Sequence, residues 1–212
     1  MSDVSPQAPP VSGAPEAYGV GPAVPVAARG NSLVLAVPPS PAYAAPVLGA
    51  ALSRPEVTPA RPILLIAPEG SLEPWAQAAS SSAASVSRTG AAGPFPSRAA
   101  HHLASGRIDI LVTTLSTALD LVRRSALRLD SLTALVVAWP EQELSDESFL
   151  PLFADLPKET QRIIVTADPS GTAPFAERYA WRAPVLGPLG GVGDSPALPR
   201  IRGAVVRWDD RL

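Results

Sequence analysis

The sequence predicts an α/β protein with an open, mostly parallel β-sheet and helices on both faces. Short β-branched apolar runs alternate with Ala/Leu-rich stretches of helical spacing, which gives a βαβαβ order. Four of these runs are apolar at successive positions, as strands that are covered on both faces must be. In such a sheet, we expect any ligand site beyond the carboxyl ends of the strands.

Six strands and six helices follow from this pattern. The predicted strands are Leu33–Val37, Ile63–Ala67, Ser85–Thr89, Ile108–Thr113, Ala134–Ala138 and Arg162–Thr166. The predicted helices are 41–53, 71–80, 96–105, 116–124, 146–154 and 172–181. Three serines, Ser71, Ser116 and Ser145, stand where a helix N-cap is expected.

The length of 212 residues suits one domain with tails. Residues 1–25 are rich in Pro and Ala and nearly devoid of charge, so we expect a disordered tail there. The domain is predicted at 26–187, and 188–212 is expected to be a linker and an edge strand or the start of a missing second domain. A glycine cluster at Gly190–Gly193 resembles a phosphate loop, but prolines follow it where a helix would be needed.

Composition excludes several classes of function. The chain has no cysteine, so disulfides, thiolate metal sites and a cysteine nucleophile are excluded. No apolar run approaches the roughly 20 residues of a membrane span, and no signal peptide is recognisable, which predicts a cytoplasmic protein without membrane contact. The net charge is -2 and basic residues are not clustered, so nucleic-acid binding is expected to be weak or absent.

Five blocks along the chain share their order and spacing with a known family. They are Leu33–Val37 with the turn after it, Ile63–Leu72, Asp109–Leu121, Leu132–Glu141 and Pro157–Asp168. In this arrangement the chain resembles the N-terminal RecA-like domain of DEAD-box helicases over about residues 22–190. The best match is Asp109–Leu121, where Thr114 and the Leu119–Leu121 segment agree in register with the family.

The resemblance places the family's ATP-binding loop at the turn after Leu33–Val37. A phosphate loop needs glycines, a lysine and a Ser/Thr hydroxyl for magnesium. Ser40 and Ala42 occupy the glycine positions, Tyr43 the lysine position and Ala44 the hydroxyl position, while Pro39 has no N–H donor. The family's adenine-reading glutamine would fall near Val20.

The DEAD tetrapeptide of the family aligns with residues 138–141. Ala138 stands in place of the magnesium-binding aspartate and Trp139 in place of the glutamate that polarises water, whereas Glu141 keeps an acid. Without the first two carboxylates there is neither a metal ligand nor a base. We therefore expect no cofactor and no metal, with ATP and magnesium required only if the helicase alternative holds.

Positions that contact the nucleic-acid backbone in the family are altered too. Gly70 and Thr117 stand where the family has arginines, so phosphate contacts are expected to be lost. Residual contacts are predicted at Gly70 and Thr114, and at Gly90 and Gly93, which resemble the glycine pair that follows the third strand of the family.

Several single residues admit a second interpretation. Asp109, Asp120, Glu141 and Asp168 include candidates for an acidic catalytic pair, but solvated charges are the simpler interpretation for Asp109 and Asp120. His101 and His102 point about 100° apart on a helix, which makes a poor chelate. Trp139 could stack a base, although filling the volume of a collapsed polar site is favoured, and the same holds for Tyr43.

Three functions remain open on this basis. The favoured hypothesis is a non-catalytic, pseudo-helicase domain that binds or scaffolds protein partners. The alternatives are an ATP-dependent helicase fragment and a weak nucleic-acid-binding module without ATPase activity. Fold resemblance alone does not decide between them, because function depends on the site.

Overall fold

The computed structural model describes residues 18–53, 62–82, 89–92, 96–106, 108–142 and 146–189. Their strands form one seven-stranded sheet in the order β3-β4-β2-β5-β6-β1-β7, and every strand pairing is parallel. The strands are β1 (Leu33–Ala36), β2 (Ile63–Ile66), β3 (Thr89–Ala92), β4 (Ile110–Thr113), β5 (Ala134–Ala138), β6 (Gln161–Thr166) and β7 (Val185–Leu186). The predicted open parallel sheet is confirmed.

The described parts of the chain contain seven α-helices, the first of which precedes β1. They are α1 (Ala23–Ala28), α2 (Ala44–Ala51), α3 (Leu72–Ser82), α4 (Pro96–Ala104), α5 (Leu115–Arg123), α6 (Leu150–Ala154) and α7 (Ala173–Tyr179). Single 3-10 turns lead into α2 at Pro41–Tyr43, into α3 at Glu69–Ser71 and into α6 at Asp146–Phe149, and others lie at Leu129–Ser131 and Pro140–Gln142.

The helices cover both faces of the sheet. Leu33 and Leu35 of β1 pack in one apolar cluster with residues of α1, α2 and α3. Val34 points to the other face, where the second cluster contains residues of α4, α5, α6 and α7. Alternate residues of one strand therefore enter opposite cores, which explains why the strands are apolar at successive positions.

The amino-terminal boundary differs from the prediction. Val20 and Ala23 are fully buried in the first cluster, and α1 begins at Ala23, inside the stretch predicted to be a tail. These apolar side chains gain enough burial to order the chain before residue 25. Residues 1–17 lie outside the described residues.

Several other boundaries also shift. Thr114, and not Ser116, is the N-cap of α5, because its Oγ1 accepts a hydrogen bond from the Thr117 N–H at 3.3 Å. The Ser71 hydroxyl donates to the Pro68 carbonyl at 2.9 Å and belongs to the 3-10 turn before α3. β3 starts at Thr89, where the predicted strand ended. The rest of that predicted strand, Ser145 and Gly190–Leu212 lie outside the described residues.

The edge strand β7 was not predicted. Val185 and Leu186 pair with Val34 and Leu35, and the Leu189 N–H donates to the Ala36 carbonyl at 3.0 Å. Gly187 adopts a φ of 108° beside Ala36, where a side chain would collide with the Ala36 carbonyl oxygen. Two residues are too short a run for periodicity to reveal a strand.

Candidate functional site

In the turn after β1, the backbone N–H groups either are missing or donate hydrogen bonds within the protein. Three of its residues are prolines without an N–H: Pro38, Pro39 and Pro41. The Val37 N–H donates to the Thr166 carbonyl at 2.9 Å, and the Ser40 N–H donates to the Pro38 carbonyl at 2.8 Å.

The other backbone N–H groups of this turn donate to acceptors within the turn itself. The Ala42 N–H donates to Ser40 Oγ at 3.4 Å, the Tyr43 N–H to the Ser40 carbonyl at 3.0 Å and the Ala44 N–H to the Pro41 carbonyl. Every N–H from Val37 to Ala44 is therefore bonded within the protein. A phosphate loop requires such groups to point at the anion, so this turn cannot cradle a phosphate in the conformation described.

The carboxyl end of β5 carries Ala138 and Trp139, both almost fully buried. The backbone N–H of Trp139 donates to the Val165 carbonyl at 2.7 Å, which holds the residue against β6. Its φ is 49°, a left-handed conformation that is rare for a bulky side chain. Such backbone strain costs about 1–3 kcal/mol and persists only where the surroundings enforce it.

A pair of tryptophans fills the space between the turn and β5. The ring of Trp139 packs against that of Trp75 from α3, with centroids 5.6 Å apart and an angle of 52° between the planes. Beside the pair lies a cavity of about 160 Å³ lined by Pro39, Pro41, Ala44, Gly70, Ser71, Pro74, Trp75 and Trp139. The structure thus brings together the two segments that the sequence aligned separately with nucleotide positions.

Tyr43 and Val20 lie on the same side of the sheet as this cavity. The half-buried Tyr43 ring meets that of Tyr18 edge to face at a centroid distance of 5.4 Å. Val20, near the expected position of the adenine-reading glutamine, is fully buried. The side chains of Tyr43 and Val20 therefore pack against other apolar residues at these positions.

Glu141 ties the ends of β5 and β6 together. Its Oε1 accepts from the Ala167 N–H at 2.7 Å and from Thr166 Oγ1 at 3.1 Å. The Thr166 hydroxyl lies 2.8 Å from that of Thr172 and accepts from the Asp168 N–H at 3.0 Å. This network gives Glu141 a structural role that its sequence position did not reveal.

The four acids considered as a catalytic pair do not converge. Asp109 lies at the amino end of β4, the sheet edge opposite Glu141, and Asp168 accepts from the Gly171 N–H at 2.9 Å. Asp120 forms an ion pair with Arg124 at 2.9 Å. One expectation was wrong: Asp109 is buried, with 3% of its surface exposed, and is not a solvated charge.

No group of three or more potential metal ligands occurs among the residues that the structure describes. His101 is exposed and His102 is partly buried, and their ring centroids are 5.8 Å apart.

Thr114, one of the four positions expected to touch nucleic acid, lines a second cavity of about 480 Å³. It is lined by Pro68, Glu69, Thr114, Leu115, Ser116, Leu119, Gln142 and Ser148, a set without a basic side chain. The hydroxyl of Thr114 is engaged with Ser116 and Thr117 at 3.1 Å each. Phosphate contacts normally come from Arg, Lys and free donors, so this wall offers little to a nucleic-acid backbone.

Gly70 is exposed at the first cavity, with nothing within 4 Å of where a Cβ would stand. Gly90 lies in β3 and Gly93 lies outside the described part of the chain.

Two tryptophans were missed as functional candidates. Trp75 belongs to an apolar pattern of helical spacing in α3, together with Leu72 and Ala79. Such a pattern predicts which face of the helix enters the core, but it does not predict that Trp139 packs against that face. Trp181 follows α7 and leaves 71% of its surface exposed. No periodicity marks a single exposed aromatic residue.

The fold is similar to that of DEAD-box proteins of known structure. The chain is similar to a DEAD-box protein of Methanococcus jannaschii, with a TM-score of 0.65 and 12% identity over 77% of this chain and 47% of the other. It is also similar to a variant of S. cerevisiae Dbp5 bound to Gle1 and IP6, with a TM-score of 0.58 and 17% identity over 78% of this chain and 44% of the other.

A further Dbp5 structure, bound to Nup159, Gle1, IP6 and ADP, gives the same TM-score and identity, and 46% of its chain is covered. The chain thus spans less than half the length of these proteins. The fold is α/β and RecA-like, as predicted. No family model and no curated protein matches the sequence.

No helix in the described parts of the chain combines the length and the apolar character needed to cross a bilayer.

Proposed function

We propose that the chain is a non-catalytic RecA-like domain, a pseudo-helicase module that binds or scaffolds protein partners. The observation that carries this proposal is the turn from Val37 to Ala44, in which no backbone donor is available for a phosphate. Phosphoryl transfer depends on positioning and charge, and this turn supplies neither.

The end of β5 supports the same conclusion. Ala138 and Trp139 occupy the family's metal-ligand and base positions, and both are buried without a carboxylate. Glu141 retains an acid, but its Oε1 already accepts two hydrogen bonds from the end of β6. Binding a metal there would compete with contacts that hold the sheet edge together.

A surface beyond α7 favours a protein partner. Trp181 and Val185 leave 71% and 42% of their surfaces exposed, and they line a cavity of about 350 Å³ whose walls are mainly apolar but include Glu177 and Arg182. Exposed tryptophans are enriched among residues that dominate protein interfaces. The similar Dbp5 structures contain Gle1, and one also contains Nup159, so proteins with this fold are found in complexes with other proteins.

Thermal unfolding with and without millimolar magnesium-ATP tests the loss of nucleotide binding. A ligand raises the melting temperature only by binding the native state, so we expect no change. Phosphate release should equal a blank without protein, and Tyr43→Lys should not rescue it, because the turn's N–H groups stay bonded. A reproducible rise in melting temperature with ATP, or turnover that survives repurification, would support the helicase alternative.

The scaffold role is tested by what co-purifies with the intact protein. Trp181→Ser should lose the bound protein, whereas Leu150→Ser, which changes another exposed apolar residue on α6, should keep it. Equal recovery with both variants would contradict the assignment of this surface.

A further inference from the structure

At the β7 edge of the sheet, one apolar face is incompletely covered by the described part of the chain. Val34 of β1 pairs with Val185 of β7, and both line the cavity of about 350 Å³ beyond α7. The neighbouring Leu186 packs against the first apolar cluster, whereas Val185 belongs to neither of the two clusters found among the described residues. The cavity therefore marks a place where the sheet edge can accept additional apolar contacts.

The backbone of Val185 is also open at this edge. The Val34 N–H donates to the Pro184 carbonyl at 2.9 Å, so this carbonyl points toward β1. The Val185 N–H belongs to the same trans peptide and points the opposite way, and its carbonyl follows in an extended strand. Within the described part of the chain, β7 pairs with β1 alone. Strand edges of this kind pair readily with another chain.

Trp181 stands beside the cavity on a turn that is fixed at both ends. The Ala183 N–H donates to the Ala180 carbonyl at 2.9 Å, and the Pro184 carbonyl accepts from β1. Arg182 adopts a φ of 56°, a left-handed conformation that persists only where the surroundings enforce it. Its guanidinium carbon lies 5.4 Å from the centre of the Trp181 ring. An ordered backbone thus presents the exposed indole, which lowers the entropic cost of binding through it.

One surface therefore carries both a large exposed ring and a recess that can receive one. Engineered apolar cavities of about 150 Å³ bind benzene, so a cavity of about 350 Å³ has room for an indole. A twofold interface places the same patch of two copies face to face, so that each contact occurs twice. A patch with both a ring and a recess is suited to this arrangement, because each ring can enter the other copy's recess.

The two charged residues of the cavity are complementary in the same sense. Glu177 and Arg182 both line it, are exposed and carry opposite charges. Neither forms an ion pair with another residue in the described parts of the chain. Across a twofold axis, Glu177 of one copy can face Arg182 of the other, and the same pair then forms a second time. A second copy of the chain thus brings the charges that this surface needs.

We propose that the Trp181 surface, which consists of the residues lining the cavity beyond α7, binds a second copy of this chain across a twofold axis. Trp181 of each copy enters the cavity of the other, and Glu177 of each copy pairs with Arg182 of the other. This inference rests on the proposed function, because it names the occupant of the surface that was assigned there to a protein partner.

Sedimentation velocity of the full chain, from about 1 to about 200 µM, measures the association. We expect a dimer with a dissociation constant at or below about 50 µM. Trp181→Ser should weaken it at least about tenfold, because buried tryptophans dominate interface energies. Leu150→Ser is the matched control, since it changes another exposed apolar residue and should dimerise like the native chain. Both residues are exposed, so both variants should keep the native melting temperature.

Charge reversal tests the twofold arrangement itself. Glu177→Arg and Arg182→Glu each place like charges opposite one another, so each should weaken the dimer at least about tenfold. When the two single variants are mixed, every facing pair is again opposite, and they should form a mixed dimer with near-native affinity. The chain that carries both substitutions should dimerise with itself for the same reason. Glu73→Arg, on the exposed side of α3, should leave the association unchanged.

Three results would overturn the inference: a chain that stays monomeric up to about 200 µM, a dimer that Trp181→Ser leaves intact, or single charge variants that do not associate when mixed. A monomeric chain that loses a different co-purified protein on Trp181→Ser would leave the proposed function in place. Stabilisation by magnesium-ATP would contradict the proposed function and leave the dimer untouched, so the two failures are distinguishable.

Discussion

Replacing Glu141 by alanine tests whether its carboxylate is a structural link between the ends of β5 and β6. The substitution removes an acceptor that receives hydrogen bonds from the Ala167 N–H at 2.7 Å and Thr166 Oγ1 at 3.1 Å. Hydrogen bonds contribute about 0.5–1.5 kcal/mol each, and more when one partner is charged. Glu141 is exposed, so water can replace part of this contribution.

The neighbouring hydroxyl reduces the loss further. Thr166 Oγ1 lies 2.8 Å from Thr172 Oγ1 and can donate there instead, so the bond from Ala167 is the main one to disappear. We therefore expect Glu141→Ala to destabilise the protein by about 1–2 kcal/mol. For a domain of this size that corresponds to a melting temperature about 2–8 °C lower.

Urea and thermal unfolding followed by circular dichroism measure this effect. Glu141→Gln keeps one acceptor oxygen and should lose about half as much stability or less, while Glu73→Ala, an exposed acid on α3, should stay within about 0.5 kcal/mol of the native protein. An alanine variant as stable as the native protein, or a glutamine variant as unstable as alanine, would refute the structural link.

Three further predictions use the same domain. Thr114→Ala should cost about 0.5–2 kcal/mol in urea unfolding, because it removes the N-cap of α5, whereas Ser116→Ala should change little. Gly187→Ala should destabilise the protein by about 1–3 kcal/mol, since the φ of Gly187 is 108° and a Cβ would approach the Ala36 carbonyl oxygen. Gly49→Ala in α2 is the control: its Cβ meets open space, so it should stabilise the protein by about 0.5–1 kcal/mol. Single-stranded RNA should bind no tighter than about 10⁻⁴–10⁻⁶ M in fluorescence anisotropy and should dissociate at moderate salt; submicromolar, salt-resistant binding would instead favour the nucleic-acid module.

The sheet could be predicted because its strands are buried on both faces. Ile63–Ile66 and Ala134–Ala138 are apolar at every position, a pattern that few other structures produce in short runs bounded by turns. The start of the domain was missed because Val20 and Ala23 are isolated among prolines and glycines, where composition indicates disorder.

The site was predictable only in part. Alignment with family motifs identified which segments meet at the carboxyl edge, and the structure places Pro39, Ala44 and Trp139 around one cavity. The sequence alone could not reveal Trp75 as the partner of Trp139, because a tertiary ring contact between α3 and the end of β5 leaves no local spacing signal. The hydrogen bonds of Glu141 were hidden for the same reason, since both depend on the register between β5 and β6.

The backbone of the turn explains why one added lysine should not make the turn bind a nucleotide. A lysine at Tyr43 would add charge, but Pro38, Pro39 and Pro41 would still lack donors, and the other N–H groups would remain in the 3-10 turn. Anion binding at such a loop depends on donors that point together at one oxygen cluster, with side-chain charge as an addition. Recovering that geometry would require glycines in place of the prolines and removal of the Trp139 indole from the space beside the turn. The same prolines and indoles form the uncharged walls of the cavity beside the turn, so the space next to the turn also offers no positive charge to a phosphate.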